Sequence, residues 1–230
     1  MTGEEVDVIG PRRTLAVLTL TIVLLGLVDV SRSVWVPSGA HFALNVGVAV
    51  ALLGMAAAAD ATTGELGLRG ADVGSGLRWG GGAFVVIAAS LLVFGLLAPG
   101  SSLLADDRAD IGLGSLLVRA LVVIPLGTVL LEELAFRGLL LALLQRVTST
   151  TRAVLGASLL FGLWHIPVAW NSSTTARMLS VGGTVVATTV AGLAFCWLRL
   201  RSRSIVAPVL AHLATNSVAL TVAWMVGRRT

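Results

Sequence analysis

Seven stretches of the chain, at about 14–30, 41–59, 83–99, 120–145, 153–171, 179–198 and 205–226, are long and apolar enough to cross a hydrocarbon layer. With no water in that layer, backbone N–H and C=O groups must be satisfied within the protein, and an α-helix does so inside a single segment. The expected fold class is therefore all-α, a polytopic transmembrane helix bundle of about seven spans. Spans and short loops consume almost everything, so residues 1–230 read as one membrane domain. Composition agrees: 12% of residues are charged, half the roughly 25% usual in soluble domains. Pro125 is expected to kink the long fourth span. Residues 111–119 read as a helical turn leading into it, and the Gly-rich segment 60–82 as an interfacial loop.

The net charge of +4 is carried by arginine alone. A basic chain raises the question of nucleic acid, but these arginines sit at predicted span ends, where they set topology. Nucleic acid is therefore not an expected partner; the lipid bilayer is. Arg12, Arg13, Arg69, Arg78, Arg146, Arg152, Arg199, Arg201 and Arg203 fall on one side of the alternating spans. Arg32, Arg108, Arg177, Arg228 and Arg229 fall on the other. The larger set faces the cytoplasm, which puts the N-terminus inside. Arg12-Arg13 precedes an apolar run without a small-x-small cleavage site, so the first span reads as retained. Absence of lysine with abundant Ala, Gly and Val points to GC-rich coding and a bacterial plasma membrane. The lone Cys196 allows no disulfide framework. Trp35, Trp79, Trp170, Trp197 and Trp224 lie near span ends as an aromatic belt would place them, whereas Trp164 falls beside His165.

Against this background Glu132, Glu133 and Arg137 stand out, because residues 120–131 and 138–144 carry no charge. Ionisable groups inside a span are costly and are functional candidates by default. Glu133 and Arg137, four apart, share a helix face and form an expected ion pair; Glu132 points about 100° away and stays free. A second constellation is Phe161 with His165, and a third is His212 with Asn216; each has the same spacing of four. Taken singly, a histidine in a span is as well explained by packing or by an interhelical hydrogen bond. Depth joins them: counted from the predicted cytoplasmic ends, all lie roughly 12–18 Å below one face at about 1.5 Å per residue. The third histidine, His41, begins the second span and reads as interfacial.

These three segments resemble, in order and spacing, the motifs of the CPBP family of intramembrane proteases (CAAX proteases and bacteriocin-processing enzymes, the Abi group). The family pattern is Glu-Glu-x-x-x-Arg, Phe-x-x-x-His and His-x-x-x-Asn or Asp; the chain has Glu132-Glu133-Leu-Ala-Phe-Arg137, Phe161-Gly-Leu-Trp-His165 and His212-Leu-Ala-Thr-Asn216. Gly64-Glu-Leu-Gly-Leu-Arg69 resembles a family loop more faintly. The motif-bearing core is 120–226, and family members often have eight spans. The resemblance implies hydrolysis of peptide bonds in membrane-associated peptides or proteins at a site opening to the cytoplasmic side. It implies Glu132 as the base that activates water and Glu133 held ionised by Arg137. His165 would orient the water with Phe161 packed beside it, and His212 with Asn216 would stabilise the oxyanion. The two glutamates are interchangeable at this level. The family is described both as metal-dependent and as metal-free. A zinc variant would use His165, His212 and Glu132 as ligands, while the absence of His-Glu-x-x-His favours the metal-free form. The competing classes are a non-catalytic scaffold or peptide-immunity protein and, less favoured, a proton-coupled transporter, for which no inverted repeat is visible.

Overall fold

The computed structural model describes residues 9–99, 101, 107–172 and 177–228; Arg229, counted above in the topology, lies outside them. The helices are α1 (Ile9–Val34), α2 (His41–Ala58), α3 (Thr63–Leu66), α4 (Val73–Leu97), α5 (Leu113–Val147), α6 (Thr150–Leu163), α7 (Ile166–Ser172), α8 (Arg177–Ser202) and α9 (Val206–Gly227). Among the described residues there is no strand. Seven helical runs have the length and hydropathy to cross a membrane, α6 and α7 together making one of them. Large apolar side chains such as Leu97 and Leu179, each 80% exposed, clothe the outside, as a lipid-facing surface requires.

The segment 60–82 is not the loop expected. It holds α3, and α4 already begins at Val73 rather than near 83. The glycines that read as loop residues serve helix packing instead. Gly76 and Gly80 are buried, and a Cβ on Gly80 would stand 2.7 Å from the Cα of Ala207. The missing side chain thus lets α4 and α9 approach backbone to backbone, a device typical of membrane bundles.

Short α3 is built by its own sequence. Thr62 Oγ1 accepts from the Glu65 backbone N–H at 3.2 Å while the Glu65 carboxylate accepts from the Thr62 N–H at 2.8 Å, a capping box. Gly67 closes the turn at φ 74°, where glycine is unstrained. The turn docks three other segments. Arg146 forks onto both Glu65 oxygens, Nε to Oε1 at 2.7 Å and NH2 to Oε2 at 2.8 Å, and donates to the Ala59 carbonyl. Arg199 NH2 donates to the Gly64 and Glu65 carbonyls at 3.1 and 2.8 Å. The Ile205 N–H bonds the Gly67 carbonyl at 2.9 Å. Arg13, at the start of α1, pairs with Asp60. Segments grouped on one side by their arginines therefore do meet at one end of the bundle. At the other end Trp224 donates to the Ile111 carbonyl at 2.8 Å. The stretch 64–69, which resembled a family loop, is the hub of the first end.

Two irregularities position the site. Helix α5 is one continuous run whose hydrogen bonding widens to π-helical turns at Arg119–Val123, Pro125–Val129 and Leu134–Leu140. Pro125 lacks the N–H that a regular turn would use and opens one of these wider turns. The fifth predicted span, 153–171, is interrupted at Trp164-His165. Pro167 explains the break, since its ring clashes with the carbonyl four residues back and offers that carbonyl no donor.

Candidate active site

The site begins with Glu133, which is fully buried. Its Oε1 accepts from Arg137 NH1 at 2.9 Å, across one turn of α5, and from His212 Nδ1 at 2.7 Å, across to α9. One oxygen thus binds the first and third sequence constellations together. Committing Nδ1–H to Glu133 leaves Nε2 of a neutral His212 as an acceptor. Asn216 supplies the donor from one turn further along α9, its Nδ2 donating to Nε2 at 3.3 Å. Asn216 lies in a π-helical turn, Ala214–Val218; such turns recur at functional sites.

Glu132 is buried on the other face of the same turn. Its Oε1 accepts from the Trp164 indole N–H at 3.2 Å. Its Oε2 has no hydrogen-bond partner among the described residues and stands 3.8 Å from His212 Nε2. The His212 ring thus lies between the two carboxylates, Nδ1 bonded to Glu133 Oε1 and Nε2 near the bare Oε2 of Glu132. The Oε2 of Glu133 is also without a partner, but its carboxylate is anchored by two donors on Oε1.

Aromatic rings complete the enclosure. The Arg137 guanidinium carbon lies 4.0 Å from the ring centre of Phe161 and 4.9 Å from that of Phe195. The cation therefore has one carboxylate and two π faces in place of water; its Nε and NH2 have no hydrogen-bond partner among the described residues. Phe195 also stacks on His212, with centroids 5.0 Å apart. Phe136 packs edge-on to both Phe161 and Trp164, at 5.2 and 5.8 Å.

The structure thus gathers Glu132, Glu133, Arg137, Phe161, His212 and Asn216 in one cluster. His165 stands slightly apart, half-buried, its Nδ1–H donating to the Phe161 carbonyl at 2.8 Å and its ring against Phe161 at 4.8 Å. It makes no hydrogen bond to either glutamate. His41, read as interfacial, hydrogen-bonds the Val36 carbonyl at the start of α2, remote from the cluster. Two residues went unread. Trp164 was noticed only as an exception to the aromatic belt, and Phe195 not at all.

The zinc reading fits poorly. Among the described residues no three His, Cys, Asp or Glu side chains are gathered so as to hold a metal ion. Of the expected trio, His212 has both ring nitrogens engaged, and His165 meets the cluster only through Phe161.

A bundle of membrane-spanning helices that buries two adjacent glutamates, an arginine and a histidine, with a second histidine and an asparagine half-buried beside them, has the makings of a membrane-embedded hydrolase. Comparison with known families agrees: residues 113–218 match the family model described as Rce1-like, type II CAAX prenyl endopeptidase. That segment holds all three motifs, and over it the chain is similar to the CAAX membrane proteases, consistent with its resemblance to the CPBP family. Neither a curated protein nor a solved structure gives a significant match to the chain.

Proposed function

We propose that the protein is an intramembrane endopeptidase that cleaves membrane-associated peptides or proteins with water activated by Glu132. The observation that carries this reading is the bare Oε2 of Glu132, buried and 3.8 Å from His212 Nε2, in a cluster that anchors its neighbours. A carboxylate in that position takes a proton from water as the water oxygen attacks the scissile carbonyl. Trp164 steadies the carboxylate through its other oxygen. Charge then develops on the carbonyl oxygen. Asn216 Nδ2 turns from His212 Nε2 to donate to it, and His212 joins as a second donor through Nε2–H, with a proton taken from solvent on entry and returned to solvent when the products leave. Glu133 stabilises that imidazolium through Nδ1, and preorganised donors of this kind act strongly where water is excluded. Glu132 finally hands its proton to the leaving amine, so one water is consumed and two ends are released. Arg137 keeps Glu133 ionised beside a second carboxylate. His165, with Nδ1 fixed to the backbone, offers Nε2 to the entering water.

The end that gathers Arg13, Arg146 and Arg199 faces the cytoplasm of a bacterial cell in this reading, and the site opens on that side. Purified full-length chain in detergent, offered a peptide library, tests the proposal. Cleavage by the wild type that disappears in Glu132→Gln supports it; equal turnover by the two removes it.

A further inference from the structure

Asp29 is a carboxylate that the reaction above leaves unused. It sits on α1, outside the three motifs, and is only 8% exposed. It lines a cavity of about 170 Å³ whose walls are otherwise apolar, including Leu25, Phe136, Leu140, Leu163 and Trp164. Its side chain has no hydrogen bond or ion pair among the described residues, although Arg32 and Glu132 both lie within electrostatic reach. A carboxylate in such surroundings is unfavourable unless a cation meets it. At ~30 Å³ per water the cavity holds about five or six waters, the room of one extended side chain. An apolar wall ending in a single acid matches a side chain with an aliphatic stem and a cationic head.

The same indole joins the cavity to the chemistry. Trp164 is part of the cavity wall and donates its N–H to Glu132. Phe136, also in the wall, packs on Trp164 and Phe161. A side chain lodged against Trp164 is therefore attached to a backbone passing close to Glu132. We propose that this cavity is a substrate subsite for a lysine or arginine side chain, with Asp29 as its counter-ion. The proposal rests on the protease reading and names what that reading leaves open, a residue that selects the substrate.

The experiment uses the full chain in nanodiscs and a series of fluorogenic peptides. A single lysine is moved through the positions flanking the cleaved bond, with norleucine replacing it in the paired control. At one position the wild type should favour lysine at least tenfold in kcat/KM. Asp29→Asn, nearly isosteric, should collapse that ratio towards one, and Asp29→Glu should restore part of it. A lysine preference absent in the wild type, or undiminished in Asp29→Asn, overturns the subsite. Binding of the same peptide pairs to the Glu132→Gln chain, with and without Asp29→Asn, separates this from failure of the protease reading. Asp29-dependent lysine preference in binding, with no hydrolysis by the wild type, keeps the subsite and removes the protease. Hydrolysis without preference does the reverse. Competition by phosphatidylethanolamine vesicles but by neither peptide assigns the cavity to a lipid amine and overturns the proposal.

Discussion

Two arginine–glutamate pairs in this molecule use the same chemistry to opposite ends. At the end of the bundle, Arg146 and Glu65 are partly exposed, and every nitrogen of the guanidinium and both carboxylate oxygens have partners. In the interior, Arg137 and Glu133 are fully buried, yet among the described residues Arg137 Nε and NH2 and Glu133 Oε2 lack hydrogen-bond partners, as does Oε2 of the adjacent Glu132. The outer pair is saturated and holds segments together. The inner group is under-bonded in the low-dielectric place where that is most costly. Unmet hydrogen-bonding capacity, more than the presence of charge, distinguishes the site from the clamp.

The contrast breaks most readily at Glu132. Glu132→Gln keeps size and burial but removes the proton acceptor, so kcat should fall by about 100- to 10,000-fold, the usual worth of general acid–base catalysis. An unchanged melting temperature in the same preparation would confirm that the loss is chemical. Next comes the matched pair Arg137→Ala and Arg146→Ala. Removing the buried partner leaves a bare charge and should cost about 3–5 kcal/mol. Removing the exposed one should cost about 1 kcal/mol or less. Thermal unfolding of both in one detergent measures the difference, and equal losses would erase the distinction drawn above. Asn216→Ala should slow kcat about 100- to 1000-fold if its amide serves the oxyanion, with activity indifferent to phenanthroline. Because an amide is a poor zinc ligand, a severe Asn216→Ala defect speaks for the donor role, whereas a steep loss on chelation would favour the zinc variant. Trp164→Phe should have the smallest effect. A hydrogen bond to a charged group is worth about 1.5–3 kcal/mol, roughly 10- to 100-fold in kcat, with KM nearly unchanged.

Much of this could be read from the chain because membrane depth is a one-dimensional coordinate. Apolar run length gives the spans, and residue count from a span end gives the height of Glu133, His165, His212 and Asn216. The agreement in height became a 2.7 Å hydrogen bond between Glu133 and His212. Rotation about each helix axis is not encoded so simply. Spacing placed Glu132 away from Glu133 but not against Trp164, since that contact depends on where Pro167 interrupts the fifth span. Phe195 is one apolar residue in an apolar helix, and only the packing of α8 against α9 reveals its stacking on His212. The start of α4 was misplaced because glycine carries two meanings, a turn in water and a close contact in lipid.

That close contact makes Gly80 a dimensional standard for the enzyme. Its absent side chain sets the spacing between α4 and Ala207, five positions before His212 on the same helix. One added methyl group would act as a shim under α9, tilting a lever whose far arm carries the imidazole and the amide. The precision of the chemistry is thus calibrated by an atom that the sequence omits, and the mildest of substitutions, Gly80→Ala, would put the instrument out of true without touching a reactive group.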